Sequence, residues 1–489
     1  MNLLLRSATA RWNQLWFTSD SGRPEAYFRV GYAAVLLLDL LGLRPKLTFL
    51  FSNEGILPPG PLDVLYPPAA MEALYWVWLT ALVLLIVGYR TRLCAAVNFA
   101  LTVYVFGLRG QAAPHGADWI YQSMGFWLMW MRSDRHLTLA TRWRRREGPP
   151  AGPLWPVRLA QLNFATIYLT AGISKLADPG WIAGTAFRDT IRLPFFTQVD
   201  LGWLLPHETL LRALNYGIVG WEIAAPLLLL FRRSRAWALW SVVLFHVGIM
   251  VTLRVGWLGD ATLTGALLLL DDVSRRRAVT TSGSLHPMGG WQKGVVNAFL
   301  VFHLTAWGWA QSQYVAENVF HSARARGRLD RTPVLSPYVR YIARIQYYDL
   351  WPKAAFFSPV RLLYFDATHP DGRQAALAPF DQAGAFAPGL RMMKEAREGL
   401  LMLRIARHGL TVRQWSAYVN HLIDLYQQRY GPGCPTEVRV FLSTEDPVRT
   451  GEPVAIPGLQ KTLLVRASVS CVAAARRIEI AEMAPPPHL

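Results

Sequence analysis

The chain has 489 residues, 52% of them hydrophobic and 17% charged, with a mean hydropathy of +0.20. The apolar residues come in blocks, which places the chain among polytopic membrane proteins. A net charge of +18 would suggest nucleic acid in a soluble protein, but here the arginines sit in short loops between apolar runs, as orientation signals do, and no nucleic-acid module is present.

Residues 1–26 read as a polar cytoplasmic leader, too short in apolar length for a cleavable signal peptide. Apolar runs follow at 27–43, 71–89, 93–108, 117–131, 154–175, 210–231, 236–253, 255–270 and 292–311, which predicts about nine transmembrane helices. The fourth and eighth are short for a span. Loops 88–92, 132–158, 232–235 and 271–293 are strongly basic, the second holding seven arginines. The intervening loops carry few or balanced charges. Alternation over nine helices puts the N-terminus in the cytoplasm and the C-terminal region on the exterior, periplasmic side of a bacterial-type cell membrane. Many of the twenty tryptophans lie near run ends, where interfacial belts form.

Beyond the bundle at 27–311, residues 312–345 read as a basic, irregular linker and 346–480 as an exterior α+β domain, with 481–489 a tail. Within that domain 361–368, 437–443 and 462–470 alternate like strands. Residues 391–408 and 411–430 look helical, the second opened by Thr411 as N-cap. Cys434 precedes one strand and Cys471 follows another, so either a disulfide in an oxidising compartment or two unpaired small residues fits. No metal-ligand spacing and no HExxH, GxSxG or P-loop motif occurs, so no metal is expected.

Ionisable groups inside spans are costly and mark candidate sites. Lys175 closes the fifth run. His115 and Asp118 bracket the start of the fourth, Asp260 opens the eighth with Arg254 just before it, and Asp178 and Trp181 follow Lys175. Glu222 and His246 fall near the middle of the sixth and seventh runs, and His303, read as packing, near the middle of the ninth. Each has a bland counterpart: Lys175 can snorkel to the interface, Asp260 and Arg254 can form a structural ion pair, and His246 can be a hydrogen-bonded core residue. If Lys175 is functional, partial burial makes its neutral amine available as a base toward a weak acid such as a hydroquinone hydroxyl. His115, Asp118 or Asp260 would then assist, while Trp181, Asp178, Arg254, Glu222 and His246 would line the substrate. A site of Lys175 with His115, Asp118 or Asp260 favours an enzyme. A polar path through Glu222 and His246 favours a non-catalytic protein that binds or moves a lipid or small molecule.

The stretch Tyr168-Leu-Thr-Ala-Gly-Ile-Ser-Lys-Leu-Ala-Asp-Pro-Gly-Trp181 resembles a segment of the vitamin K-dependent γ-carboxylases and the bacterial proteins that share their HTTM membrane domain. Gly55-Ile56-Leu57-Pro58, Phe245-His246, Leu350-Trp351 and Phe357-Ser358-Pro359 are similar to that family too. The resemblance implies a membrane enzyme in which Lys175 deprotonates a reduced vitamin K-type quinone, a lyase-type chemistry that ends in carboxylation. It departs from the animal enzymes at Ser174, where they carry a second lysine, and in the spacing to Trp181. The chain is also far shorter where those enzymes dock their substrate, so the same protein substrate is not implied.

Overall fold

The computed structural model describes residues 2–19, 21–56, 63–110, 115–139, 152–192, 197–231, 233–270, 286–320, 332–343, 360–377, 410–445, 461–472 and 475–483. Among them every predicted apolar run lies on a helix. The leader is itself helical (α1, Asn2–Phe17) and leads into α2 (Arg23–Leu43). There follow α3 (Pro68–Val87), α4 (Thr91–Thr102), α5 (Gly116–Leu128), α6 (Trp155–Leu176), α7 (Glu208–Leu230), α8 (Arg235–Thr252), α9 (Leu258–Ala266) and α10 (Gly290–Asn318). Among the described residues four runs are long and apolar enough to cross a membrane: Arg23–Phe51, Pro68–Val87, Thr91–Arg109 and Arg235–Thr252. By contrast α5 has 13 residues and α9 has 9, short of the ~20 that a span needs. The chain is therefore a helical membrane protein; the count of nine spans goes beyond what helix length establishes.

Local chemistry sets the helix ends. Prolines occupy the first turn of α2, α3 and α6, where a missing N–H costs nothing. Gly88 ends α3 at φ 77°, its N–H reaching back to the Leu84 and Leu85 carbonyls. A side chain there would be strained by that φ and would also strike Thr138, whose Cγ2 lies 2.6 Å from the position of a Cβ. Past α4 the chain widens into a π-helical turn, Val103–Arg109. Large aromatics fill the core between helices, with Trp78, Trp127, Tyr32 and Tyr121 fully buried.

The linker expected at 312–345 is partly helical: α10 runs on to Asn318, and Tyr338–Ile342 forms a further helical turn whose Tyr338 hydroxyl meets His303 Nδ1 at 2.7 Å. That contact gives His303 the packing role read for it.

The C-terminal region is a small antiparallel sheet of five strands, β1 (Val360–Thr368), β2 (Gln374–Leu377), β3 (Glu437–Glu445), β4 (Lys461–Val472) and β5 (Ala475–Met483), in the order β2-β1-β3-β4-β5. Three of these match the alternating stretches; β2 is too short, and β5 too charged, to stand out by alternation. The β5 strand extends to Met483, into the segment read as tail. The helix expected at 391–408 and the segment 346–359 lie outside the described residues. Helix α11 (Val412–Tyr430) opens on the Thr411 capping box with Gln414 and lays Trp415, Tyr418, Leu422 and Tyr426 on the buried face of the sheet. A disulfide joins Cys434 to Cys471, so the open alternative resolves in its favour. The same helix docks on the bundle: Gln414 Nε2 donates to the Ile56 carbonyl at 2.9 Å, and His421 stacks on Phe49 at 4.2 Å.

Candidate functional site

Tyr168, Gly172 and Lys175 are spaced by four and three residues, so they form one stripe on α6. Helix α7 packs along that stripe, and Gly172 sets how close it comes. A Cβ at position 172 would stand 2.8 Å from Ile223 Cγ1 and 3.2 Å from both Glu222 Cβ and the Ile223 amide nitrogen. The missing methyl admits the α7 backbone at the level of Glu222. One turn further along α7 is Pro226, which has no N–H to offer the Glu222 carbonyl and so loosens the helix where the carboxylate sits.

The outcome is a buried ion pair. Lys175 Nζ lies 2.9 Å from Glu222 Oε1, with which it hydrogen-bonds, and 2.7 Å from Oε2. Lys175 is 3% exposed and Glu222 6%. The sequence placed these residues at different depths, Lys175 at the end of one run and Glu222 mid-way along the next. They meet because a helical side chain leans toward the helix N-terminus and the lysine stem is long. Its Nζ reaches back one turn, to 3.5 Å from the Ala171 carbonyl. The snorkelling alternative is thereby excluded in this structure: the ammonium points into the bundle.

Asp178 and Trp181 complete this end. The Asp178 carboxylate caps a short helix, Pro179–Ala183, accepting from the Gly180 and Trp181 amides at 2.9 and 3.2 Å. Asn215 Nδ2 holds the Trp181 carbonyl at 2.9 Å. Together they set the Trp181 indole over the amine, with Nζ 5.1 Å from the ring centroid, a cation–π contact that replaces part of the lost hydration. Asp178 thus acts on the loop.

Two turns below Lys175, the Tyr168 hydroxyl meets His246 Nε2 of α8 at 2.9 Å, and both side chains are buried. Trp221 stacks on Phe245 with centroids 4.0 Å apart, meets the edge of Tyr168 at 5.3 Å and donates to Ser241 Oγ at 3.0 Å, walling the group with aromatic rings. His246 Nδ1 has no hydrogen-bond partner among the described residues.

His115, Asp118 and Arg254 belong to a second setting. His115 N-caps α5, its Nδ1 accepting from the Ala117 amide at 3.3 Å, while Asp118 accepts from the His115 amide at 3.2 Å. His115 Nε2 lies 3.1 Å from the Val255 carbonyl, and Arg254 Nε donates to the Thr197 carbonyl at 2.7 Å. These contacts tie the start of α5 to the segment that leads into α9, where the half-buried Asp260 sits in the first turn. His115 and Arg254 thus join segments, and Asp118 completes the cap of α5. Among the described residues no group of three or more His, Cys, Asp or Glu is placed to hold a metal ion.

A family model for the HTTM domain matches residues 28–270. The chain belongs to the HTTM domain family. No curated protein and no solved structure matches it. The HTTM match spans α2 to α9, so the Lys175–Glu222 pair, Tyr168, Trp181 and His246 all fall within the domain that defines the family, while α10 and the sheet lie beyond it.

In the sequence Lys175, Glu222 and His246 stand out separately, while Tyr168 and Gly172 do not. The signal for both was present in the i, i+4, i+7 stripe that ends on Lys175. Pro226, one turn past Glu222, was a second signal.

Proposed function

We propose that this HTTM protein is a membrane-embedded enzyme that takes a proton from a lipid-soluble acid, with the Lys175–Glu222 pair as its acid–base couple. The observation that carries the reading is the pair itself: an amine and a carboxylate at hydrogen-bond distance, both removed from water, beneath an indole. Burying such a pair is costly, and stability alone does not explain its presence. HTTM domains are linked to vitamin K-dependent carboxylase-type proteins, which makes a quinol the substrate class to test first.

Aromatic rings of the kind that suit a ring compound stand near the pair. Trp181, Trp221, Phe245 and Tyr168 supply aromatic walls, and the polar groups between them are few. A bound quinol would supply the acidic hydroxyl and the reducing equivalents. Toward that hydroxyl the Glu222 carboxylate accepts the proton, and the Lys175 ammonium stays beside the oxyanion left behind. The base is then the couple rather than the amine alone, since one proton shared across 2.7–2.9 Å moves between the two groups with little displacement. His115 and Asp118 enter as positioning groups at the start of α5. The orientation that puts the C-terminal domain outside, in an oxidising compartment, agrees with the Cys434–Cys471 disulfide.

The test is quinol-dependent oxygen uptake or epoxide formation by the purified protein, with Lys175→Ala and Glu222→Gln beside it. Loss of about 100-fold or more in both variants is expected. Equal rates in all three, or no product from any, would remove the reading. A second reading, a non-catalytic protein that binds or transports a lipid or small molecule, draws support from the buried Tyr168–His246 hydrogen bond two turns from the Lys175–Glu222 pair. Saturable quinone binding without turnover would favour it.

A further inference from the structure

At the basic end of the bundle three turns converge on the loop that follows α5. Gly22, between α1 and α2, lies against Arg135: a Cβ there would stand 3.1 Å from Arg135 Cδ and 3.6 Å from the Arg132 carbonyl oxygen. Gly88, between α3 and α4, meets Thr138, and Gly152, just before α6, lies against Arg132, whose Cγ would stand 2.6 Å from a Cβ. The loop is also held from within the bundle. The buried Arg29 guanidinium of α2 donates to the Ser133 carbonyl and, at 2.5 Å, to the Leu137 carbonyl. His136 Nε2 lies 2.9 Å from the Ser21 carbonyl. Loop and turns therefore form one fixed surface rather than a trailing connection.

That surface carries side chains of two kinds. Arg132 and Arg135 come from the loop, Arg23 follows Gly22, and Arg90 and Arg92 follow Gly88 by two and four residues. Among the described residues no carboxylate pairs with any of these five side chains. The acids close by in the chain are Asp134, within the loop, and Glu25, which is buried. Arg92 lies in the first turn of α4, whose N-terminus no described side chain caps, so its amides add to the positive field. Beside the charges Tyr89, Leu93 and Leu137 are each about half exposed. Leu137 is the informative one. Its φ is 52°, a left-handed conformation that suits glycine or asparagine and strains a leucine. The Arg29 contact holds it there, with an apolar side chain exposed two residues from Arg135. A purely orienting charge needs no such arrangement. Nucleic acid or an acidic protein would use the arginines and leave the leucines in water. A phospholipid uses both: its phosphate accepts from guanidinium groups and its chains cover the leucines.

We propose that this surface binds an anionic phospholipid, its phosphate among Arg90, Arg92, Arg132 and Arg135 and its acyl chains over Leu93 and Leu137.

Native mass spectrometry of the full-length protein in detergent micelles tests the site. Three probes are compared: phosphatidylglycerol, phosphatidylcholine with the same chains, and inorganic phosphate. Phosphatidylglycerol is expected to bind about 10-fold or more tighter than phosphatidylcholine, whose choline cation opposes the arginines, and to resist displacement by equimolar inorganic phosphate. Arg92→Gln with Arg132→Gln should weaken phosphatidylglycerol binding by about 30-fold. Arg6→Gln with Lys293→Gln removes the same charge outside the cluster and should leave it within about 2-fold. Leu137→Asn, which suits the left-handed backbone but loses the apolar contact, should weaken it by about 5-fold. Unfolding midpoints without lipid show which variants fold. Should the Arg92 and Arg132 variant unfold, Arg90→Gln alone, with an expected loss of about 5-fold, takes its place. Equal affinity for the two lipids, equal losses in the two double variants, or wild-type affinity in the arginine or Leu137 variants would overturn the proposal. Displacement by inorganic phosphate would overturn it too, by assigning the arginines to a free anion. No turnover is measured, so the outcome is independent of the quinol reading.

Discussion

Lys175 and Glu222, forty-seven positions apart on neighbouring helices, meet at 2.7 Å with less than a tenth of either exposed. Each is the other's compensation for leaving water. Removing one partner leaves the other as an unpaired charge in an apolar setting. Lys175→Met and Glu222→Leu are therefore each expected to destabilise the bundle by about 3–5 kcal/mol. The double variant should regain most of that loss. A double-mutant cycle on unfolding in detergent measures it, and additive single effects would show that the two charges do not act as a pair.

Gly172 controls the approach of α7 to α6. Gly172→Ala puts a methyl group 2.8 Å from Ile223 Cγ1 and 3.2 Å from a backbone nitrogen, so the helices must part or the side chain must turn. A loss of about 1–3 kcal/mol is expected, with a larger loss for Gly172→Val. Unchanged unfolding midpoints in both variants would place the helices further apart than described here.

Asp178 acts through its cap. Asp178→Ala frees the Gly180 and Trp181 amides and should cost about 1 kcal/mol, whereas Asp178→Asn, itself a good cap, should cost little. Were Asp178 a ligand to substrate through its charge, Asn would fail as badly as Ala in the activity assay. Comparison of the two variants in that assay separates the roles.

The Cys434–Cys471 disulfide pins the segment before β3 to β4. Alkylation of the denatured protein without reductant should label Cys94 alone, and all three cysteines after reduction, as intact mass reports. Cys471→Ala should lower the stability of the C-terminal domain by about 2–4 kcal/mol. Three labels without reductant would show that the bond does not form in the membrane-inserted protein.

Much of the helical framework was legible because burial in lipid demands long apolar runs, and such runs survive any uncertainty in how helices pack. The Thr411 cap was legible for a similar reason: its bonds are local. Strands β2 and β5 were not, since β2 is only four residues long and the charges of β5 break an alternating pattern; each takes its place by pairing with the strand just before it. The site was legible as a set of candidates but not as a constellation. Glu222 reads from the sequence as a mid-depth acid without an assigned partner, and only the structure gives its carboxylate to Lys175 on the neighbouring helix.

The sequence by itself determined that this is a helical membrane protein with a mixed terminal domain, and that an amine closes the fifth apolar run. Composition and periodicity are enough for that, because the solvent on each face of a helix is set by its own residues. Only the tertiary structure decided where the amine points and what it meets. That depends on how closely α7 approaches at Gly172, on the backward lean of a long side chain and on the register of α7 against α6, and the approach and the register are set by packing between helices rather than by either helix's own residues.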